Sequence, residues 1–150
     1  MGKLKLFLII LLIVITAGLI VFRYERVNSQ IKKICFEGKC FNVEIADTEV
    51  EREKGLIGRE ILDQGAGMLF IFPSEARHAF WMRDTTILLD IIWMDKDWKV
   101  LAIKSAVPCR SDPCQYYNPE VNSKYVLEVN SSQVEESNIE IDQKGELKNH

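Results

Sequence analysis

Residues 6–22, LFLIILLIVITAGLIVF, form a run of seventeen residues without a charge, and no other feature restricts this chain as much. At the helical rise of about 1.5 Å per residue such a run covers roughly 25 Å, close to the hydrocarbon thickness of a bilayer. No polar face interrupts it, so a helix here must hide its whole circumference, which suits lipid better than a half-exposed site on a globular domain. Lys3 and Lys5 precede the run and Arg23 and Arg26 follow it, and long basic side chains at both ends can reach the headgroups of a short span. A cleaved signal peptide is the competing reading. It would show a shorter apolar core and a small-x-small cleavage site, whereas this run ends in Leu19, Ile20, Val21 and Phe22. The expectation is an uncleaved single-span anchor at residues 1–22, with the lipid bilayer as its partner through residues 6–22.

Flanking charges differ little between the two sides of the run, so its orientation rests on the cysteines. All four lie beyond it, in two pairs of one spacing, Cys35-x4-Cys40 and Cys109-x4-Cys114. An even count reads as two disulfides in an oxidising compartment, and as a metal site or free thiols in the cytosol. If Glu37 and Gly38 form a two-residue hairpin turn, Cys35 faces Cys40 at a non-hydrogen-bonded position, where the Cα separation suits a disulfide. A four-cysteine zinc site would need all four to converge on the reducing side of the membrane. Disulfides are the expectation, and with them an N-in, C-out chain whose main domain lies outside the cytoplasm.

The whole chain holds 19 Lys and Arg against 22 Asp and Glu. Two of the basic residues, Lys3 and Lys5, precede the run, which leaves 17 against 22 beyond it, a net charge of −5. That balance argues against a nucleic-acid partner and against an anionic membrane surface.

After a polar tether at residues 23–30, the stretch 31–46 alternates as a strand pair around Gly38, with Phe41, Val43 and Ile45 on one face. Thr48 followed by Glu51 has the form of a capping box, so a short helix follows and ends at Gly55 or Gly58, with Val50, Lys54 and Ile57 on its inward side. From Gly67 the pattern is strand-like at 68–72, 78–82, 88–95 and 98–107, parted by turn residues, and reads as a meander. YVLEVN at 125–130 resumes the sheet, Ser131 or Ser132 caps another short helix, and Ile139 and Ile141 form a last strand. The domain spans 31–142, with a frayed tail at 143–150. The chain is thus mainly β and antiparallel, with one or two short helices behind an N-terminal transmembrane helix.

No HExxH, GxSxG, P-loop or dinucleotide fingerprint is present. His78 and His150 are the only histidines, and His78, at the start of an apolar strand, reads as a surface or edge residue. No metal site and no cofactor are expected. Polar groups among apolar neighbours are more informative. Asp90 shares a strand face with Ile92 and Met94, and Glu128 stands between Leu127 and Val129, so each carboxylate points inward and needs a partner. Arg59 is a plausible partner for either, because a guanidinium can hold a carboxylate with two parallel hydrogen bonds. The plain reading is a buried ion pair or loop clamp. The functional one is a pocket in which Arg59, Asp84, Thr85 and Asp90 meet a small polar ligand, with Trp81 or Trp93 beside it to stack on a sugar or aromatic ring. Met68, Met82 and Met94, at strand spacing, read as core filler rather than copper ligands.

Several of these residues fall in an ordered set: GLIGR at 55–59, GMLFIF at 67–72, FWM at 80–82 with Asp84 and Thr85, LDI at 89–91, the second cysteine pair with Tyr117, and YVLE at 125–128. The set resembles the uncharacterised bacterial and archaeal family known as domain of unknown function 192, over roughly residues 41–142. The resemblance implies a compact β-rich sandwich or barrel-like fold, often behind an N-terminal signal or anchor, and no established activity. Arg59, Trp81, Met82, Asp84, Thr85, Asp90 and Glu128 match its motif positions. The chain departs from the pattern at Asp84, where Asn is common, at Leu88, where Pro is common, at the turn of Asp97 and Trp98, which lacks a Gly, and at Asn130, Ser131 and Ser132, which replace an Asn-Ala-Gly-like stretch.

Three functions follow as expectations. The first is an anchored extracytoplasmic module that binds a small polar ligand, a carbohydrate among the options, at a pocket around residues 80–85 with Arg59, Trp81, Asp84, Thr85, Asp90 and Glu128. The second is a hydrolase or other enzyme using Asp84, Asp90 or Glu128. The third is a structural or partner-binding domain without a pocket.

Overall fold

The computed structural model describes residues 2–28 and 31–148. They divide into two units, 1–31 and 32–150. The first is the helix α1 (Gly2–Asn28), whose stretch Lys5–Phe22 is apolar and long enough to cross a membrane. Helix continues through the first six residues of the expected tether, and its last two, Ser29 and Gln30, lie outside the described residues.

The second unit is built on one seven-stranded sheet, ordered β6-β5-β8-β3-β2-β1-β9. Its strands are β1 (Ile31–Phe36), β2 (Lys39–Ala46), β3 (Ala66–Ala76), β5 (Leu89–Met94), β6 (Val100–Ala106), β8 (Ser123–Asn130) and β9 (Gly145–Lys148). The short strands β4 (Phe80–Trp81) and β7 (Tyr116–Tyr117) pair apart from it as a ribbon. Two short helices, α2 (Glu49–Lys54) and α3 (Gln133–Glu136), complete the unit. The mainly β expectation holds, and the sheet is curled: Val100 N–H donates to Gln143 O at 2.9 Å and Gly145 N–H to Trp98 O at 2.9 Å, so the segment entering β9 meets the start of β6.

Four expectations are corrected. The sheet is not wholly antiparallel, because β2 and β3 run parallel, joined by the crossover that contains α2. Nor is it a meander, since β8 inserts between β3 and β5 and pairs antiparallel with both. The tail is not frayed over 145–148. Those residues form β9 against β1, with Gly145 opposite Phe36. A Cβ at Gly145 would come within 2.9 Å of the Phe36 ring, so glycine permits this close approach. The strand expected at Ile139 and Ile141 is absent; Ile139 is buried in the core and Ile141 is exposed.

Alternation along the strands divides the core between the two faces of the sheet. Leu89, Ile91 and Trp93 of β5 and Val126 of β8 pack with Met68 and Phe70 on one face. Ile92, Met94, Leu127 and Val129 pack with Phe41, Val43 and Leu69 on the other. Cys35 and Cys40 are bonded across the turn at Glu37 and Gly38, both with positive φ, as a tight two-residue hairpin requires. Cys109 and Cys114 form the second disulfide, and among the described residues the four cysteines do not gather into one cluster.

Candidate functional site

The site begins with the capping box. Thr48 Oγ1 accepts from Glu51 N–H at 3.3 Å, and Glu51 Oε2 in turn accepts from Thr48 N–H at 3.1 Å. Both bonds satisfy backbone donors that an uncapped helix start leaves open. Gly55, with a positive φ of 46°, ends α2 after six residues. The helix buries none of its side chains, so Val50, expected to face inward, is 74% exposed. What α2 contributes is Arg52. Its guanidinium donates to the carbonyls of Asp47 and Ile71, the latter at 2.9 Å, and lies 5.4 Å from the centre of the Phe72 ring.

Facing α2 is an aromatic wall. Phe80 of β4 meets Phe70 of β3 edge to face at 4.9 Å, and the His78 ring stacks on Phe72 at 3.4 Å. Between helix and wall lies a cleft of about 910 Å³, lined by Arg52, Arg77, His78, Phe72, Phe80 and Trp81 among others. Arg77 has no hydrogen-bond or ion-pair partner among the described residues. His78 is held below the ordinary imidazole range, first by burial and secondarily by the Arg52 charge, with the Ser74 carbonyl working in the opposite direction.

A recess of about 40 Å³ adjoins this cleft, sharing Arg52, Glu53, Phe70, Phe80 and Trp81 with it and adding Thr85 and Glu128 among others. Glu128 comes from β8, opposite Met68 of β3 and Ile91 of β5. Only 4% of it is exposed, and its carboxylate has no hydrogen-bond or ion-pair partner among the described residues. Burial pushes its pKa up to about 8, so at neutral pH this group is largely protonated.

The expected site residues thus part company. Trp81, Thr85 and Glu128 meet at the recess; Arg59, Asp84 and Asp90 do not join them. Arg59 forks onto Glu44 of β2, at 2.6 and 2.9 Å, rather than onto either predicted carboxylate. Asp84 is exposed, with a φ of 54°, and its carbonyl accepts from Gly58 N–H at 2.9 Å; it is a turn residue. Asp90 accepts from Ser105 Oγ at 2.8 Å and from Val134 N–H at 3.3 Å, clamping β6 and α3 to β5. Asp90 and Glu128 point to opposite faces of the sheet, so they do not form an acid–base pair.

Of the two tryptophans expected beside the pocket, Trp93 is fully buried and donates Nε1–H to His78 O at 2.8 Å. Trp81 is 37% exposed. Tyr116 stacks on its ring at 5.7 Å and the Arg83 guanidinium lies 4.5 Å from its centre, so the cleft receives only the remaining part of the ring. Sequence reasoning missed Arg52, Phe72 and Arg77 and read His78 as a surface or edge residue. No spacing joins these residues; their convergence depends on the chain turning between β3 and β4.

The family model of DUF192, described as uncharacterized ACR, matches residues 32–147. A UPF0127 protein of Thermococcus sibiricus is 32% identical over 104 residues, covering 66% of this chain, and one of Thermococcus gammatolerans is 30% identical over 92 residues, covering 58%. The chain spans 61% and 54% of the lengths of these two relatives. A crystal structure of a protein of unknown function from Novosphingobium aromaticivorans superposes with a TM-score of 0.69 at 31% identity, covering 77% of this chain and 83% of that one. Another, named a candidate transcription regulator, from Sinorhizobium meliloti, gives a TM-score of 0.71 at 26% identity over 77% of this chain and 92% of that one.

Proposed function

Since this chain belongs to the DUF192 family, whose function is uncharacterised, its activity has to be read from its own surface, and we propose that it is an anchored extracytoplasmic module that binds a small polar ligand in the cleft between α2 and the β3–β4 wall. One observation carries the reading: Arg77 lines the aromatic-walled cleft and the buried carboxyl of Glu128 lines the recess that shares Arg52, Phe70, Phe80 and Trp81 with it, and neither has a partner among the described residues. Folding alone gains nothing from burying an unpaired carboxyl, which costs free energy that a bound partner would offset. Concavity, aromatic walls and a few convergent polar groups are the usual marks of a small-molecule site. Carbohydrate is the less favoured class, because Tyr116 and Arg83 already lie against the Trp81 ring that a sugar would use. The anchor and the extracytoplasmic placement are supported by the apolar stretch of α1 and by the two disulfides.

Reading the Sinorhizobium protein's name onto this chain would require nucleic-acid contact, which the excess of 22 acidic over 17 basic residues beyond the apolar run disfavours. The test is equilibrium dialysis of the full chain in nanodiscs against a low-molecular-mass extract of host cells. Enrichment of a small molecule by the wild type and its loss in Trp81→Ala is expected. Absence of enrichment, or equal enrichment by both, overturns the reading.

A further inference from the structure

We propose that the recess at Glu128 is a subsite for a primary alkylammonium group, so that the ligand of the cleft carries an unbranched aminoalkyl tip. The inference rests on the cleft being a ligand site and names the chemistry of its inner end. The recess is narrow: about 40 Å³ holds a few non-hydrogen atoms, enough for the end of an aminoalkyl chain and too little for a ring. Its most deeply buried charged side chain is Glu128, 4% exposed and without a partner among the described residues. Its walls include Phe70, Phe80 and Trp81, and aromatic rings favour a cation over an anion or a neutral polar group. Thr85, 6% exposed, adds a hydroxyl that can accept a second ammonium hydrogen. An anionic tip would meet a carboxyl in an apolar surround, and a hydroxyl tip would gain neither the ion pair nor the ring attraction.

Arg77 stands in the adjoining cleft as a cation without a partner among the described residues, suited to an anionic group further along the same ligand. A zwitterion with its amine in the recess and its acid in the cleft would pair with the ionised form of Glu128 and with Arg77 together.

Binding of the ammonium requires the ionised carboxylate, so Glu128 releases its proton to solvent as the cation enters. The charged groups lining the recess besides Glu128 are Arg52, Glu53 and Lys54, from α2. The flanking strands present Met68, Phe70 and Ile91, and the segment after β4 presents Thr85. None of these is a histidine, so the pH response between 6 and 8 belongs to Glu128.

The experiment is calorimetric titration of the full chain in nanodiscs with propylammonium, and with 1-propanol as the neutral isostere, from pH 5.5 to 9. Propylammonium binds with an affinity that rises about tenfold per pH unit up to about 8 and then levels. Glu128→Gln loses at least tenfold at pH 8, and 1-propanol does not bind. Absence of propylammonium binding, equal binding of the alcohol, or an affinity flat across this range overturns the proposal. The wild-type pH profile decides the matter if Glu128→Gln does not fold. Failure here with a small molecule still enriched from host extract removes the ammonium subsite and leaves the cleft; failure of both removes the cleft.

Discussion

Asp90 and Glu128 stand on neighbouring strands, one register step apart, and their carboxylates leave the sheet on opposite faces, the first hydrogen-bonded to Ser105 and Val134 and the second without a hydrogen-bond or ion-pair partner among the described residues. The contrast separates a carboxylate that clamps the fold from one that, on the proposed function, is held for a ligand.

Glu128 makes stability fall as pH rises. A carboxyl with a folded pKa of about 8 against an ordinary 4.5 binds more protons folded than unfolded between those values. Its contribution is fully present below about 4.5 and is lost progressively as pH climbs through 8, at up to about 1.4 kcal/mol per unit. Denaturant titration of the wild type at intervals from pH 5 to 9 is expected to show this slope, and Glu128→Gln to flatten it. A wild-type profile as flat as the variant's would contradict the assignment.

Asp90→Ala removes the acceptor shared by Ser105 Oγ and Val134 N–H. A loss of about 2–3 kcal/mol is expected, because the α3 backbone donor is left without its partner. Ser105→Ala should cost less, about 1 kcal/mol, and the two losses should not add, since they share one bond. Retention of whatever small molecule the wild type captures should be unaffected by either. Chemical denaturation and dialysis, run side by side, check both halves.

The Cys109–Cys114 disulfide closes the loop that leads into β7, where Tyr116 stacks on Trp81. Replacing both cysteines with serine should lower stability by about 2 kcal/mol, the loop-closure entropy of so short a ring. It should also loosen the Trp81–Tyr116 stack and weaken ligand capture. The equivalent change at Cys35 and Cys40, at the β1–β2 turn, should cost stability without touching capture. Equal loss of capture in both double variants would argue against a site at Trp81.

Ser132 occupies a left-handed conformation, φ 73°, at the head of α3 and makes no side-chain capping bond there. Ser132→Gly should therefore stabilise by a few tenths to about 1 kcal/mol by relieving backbone strain, against the usual penalty of adding a glycine. Thermal denaturation of the two chains is the check, and a lower Tm in the glycine variant would contradict the account.

Much of the strand pattern was legible because alternation survives wherever a sheet has two distinct faces. The Thr48–Glu51 box and the hairpin at Glu37 and Gly38 were legible because both are local chemistry. Pairing direction was not: the alternation of β2 and β3 is the same whether they run parallel or antiparallel. β9 escaped notice because GELK is short and mostly polar. The departures from the family pattern gained meaning only with backbone angles. Asp84, Trp98 and Ser132 all have positive φ, and Trp98 is held there by a stack on Tyr125 at 3.7 Å. The added charge of Asp84 therefore belongs to an exposed turn rather than to the pocket.

For the site, an apolar setting marked Glu128 and Asp90 as inward-facing, yet one-dimensional alternation did not reveal that successive strands send them apart. Arg52, Arg77 and His78 carried no pattern at all. They matter because α2 and the β3–β4 turn bring them to one cleft.

The most direct measurement is native mass spectrometry of the full chain released without reduction from the membranes of its own host. The account predicts a population carrying a small amine-containing molecule, together with the mass of two disulfides and no zinc. A homogeneous chain with no retained small molecule, from wild type and variants alike, would contradict it.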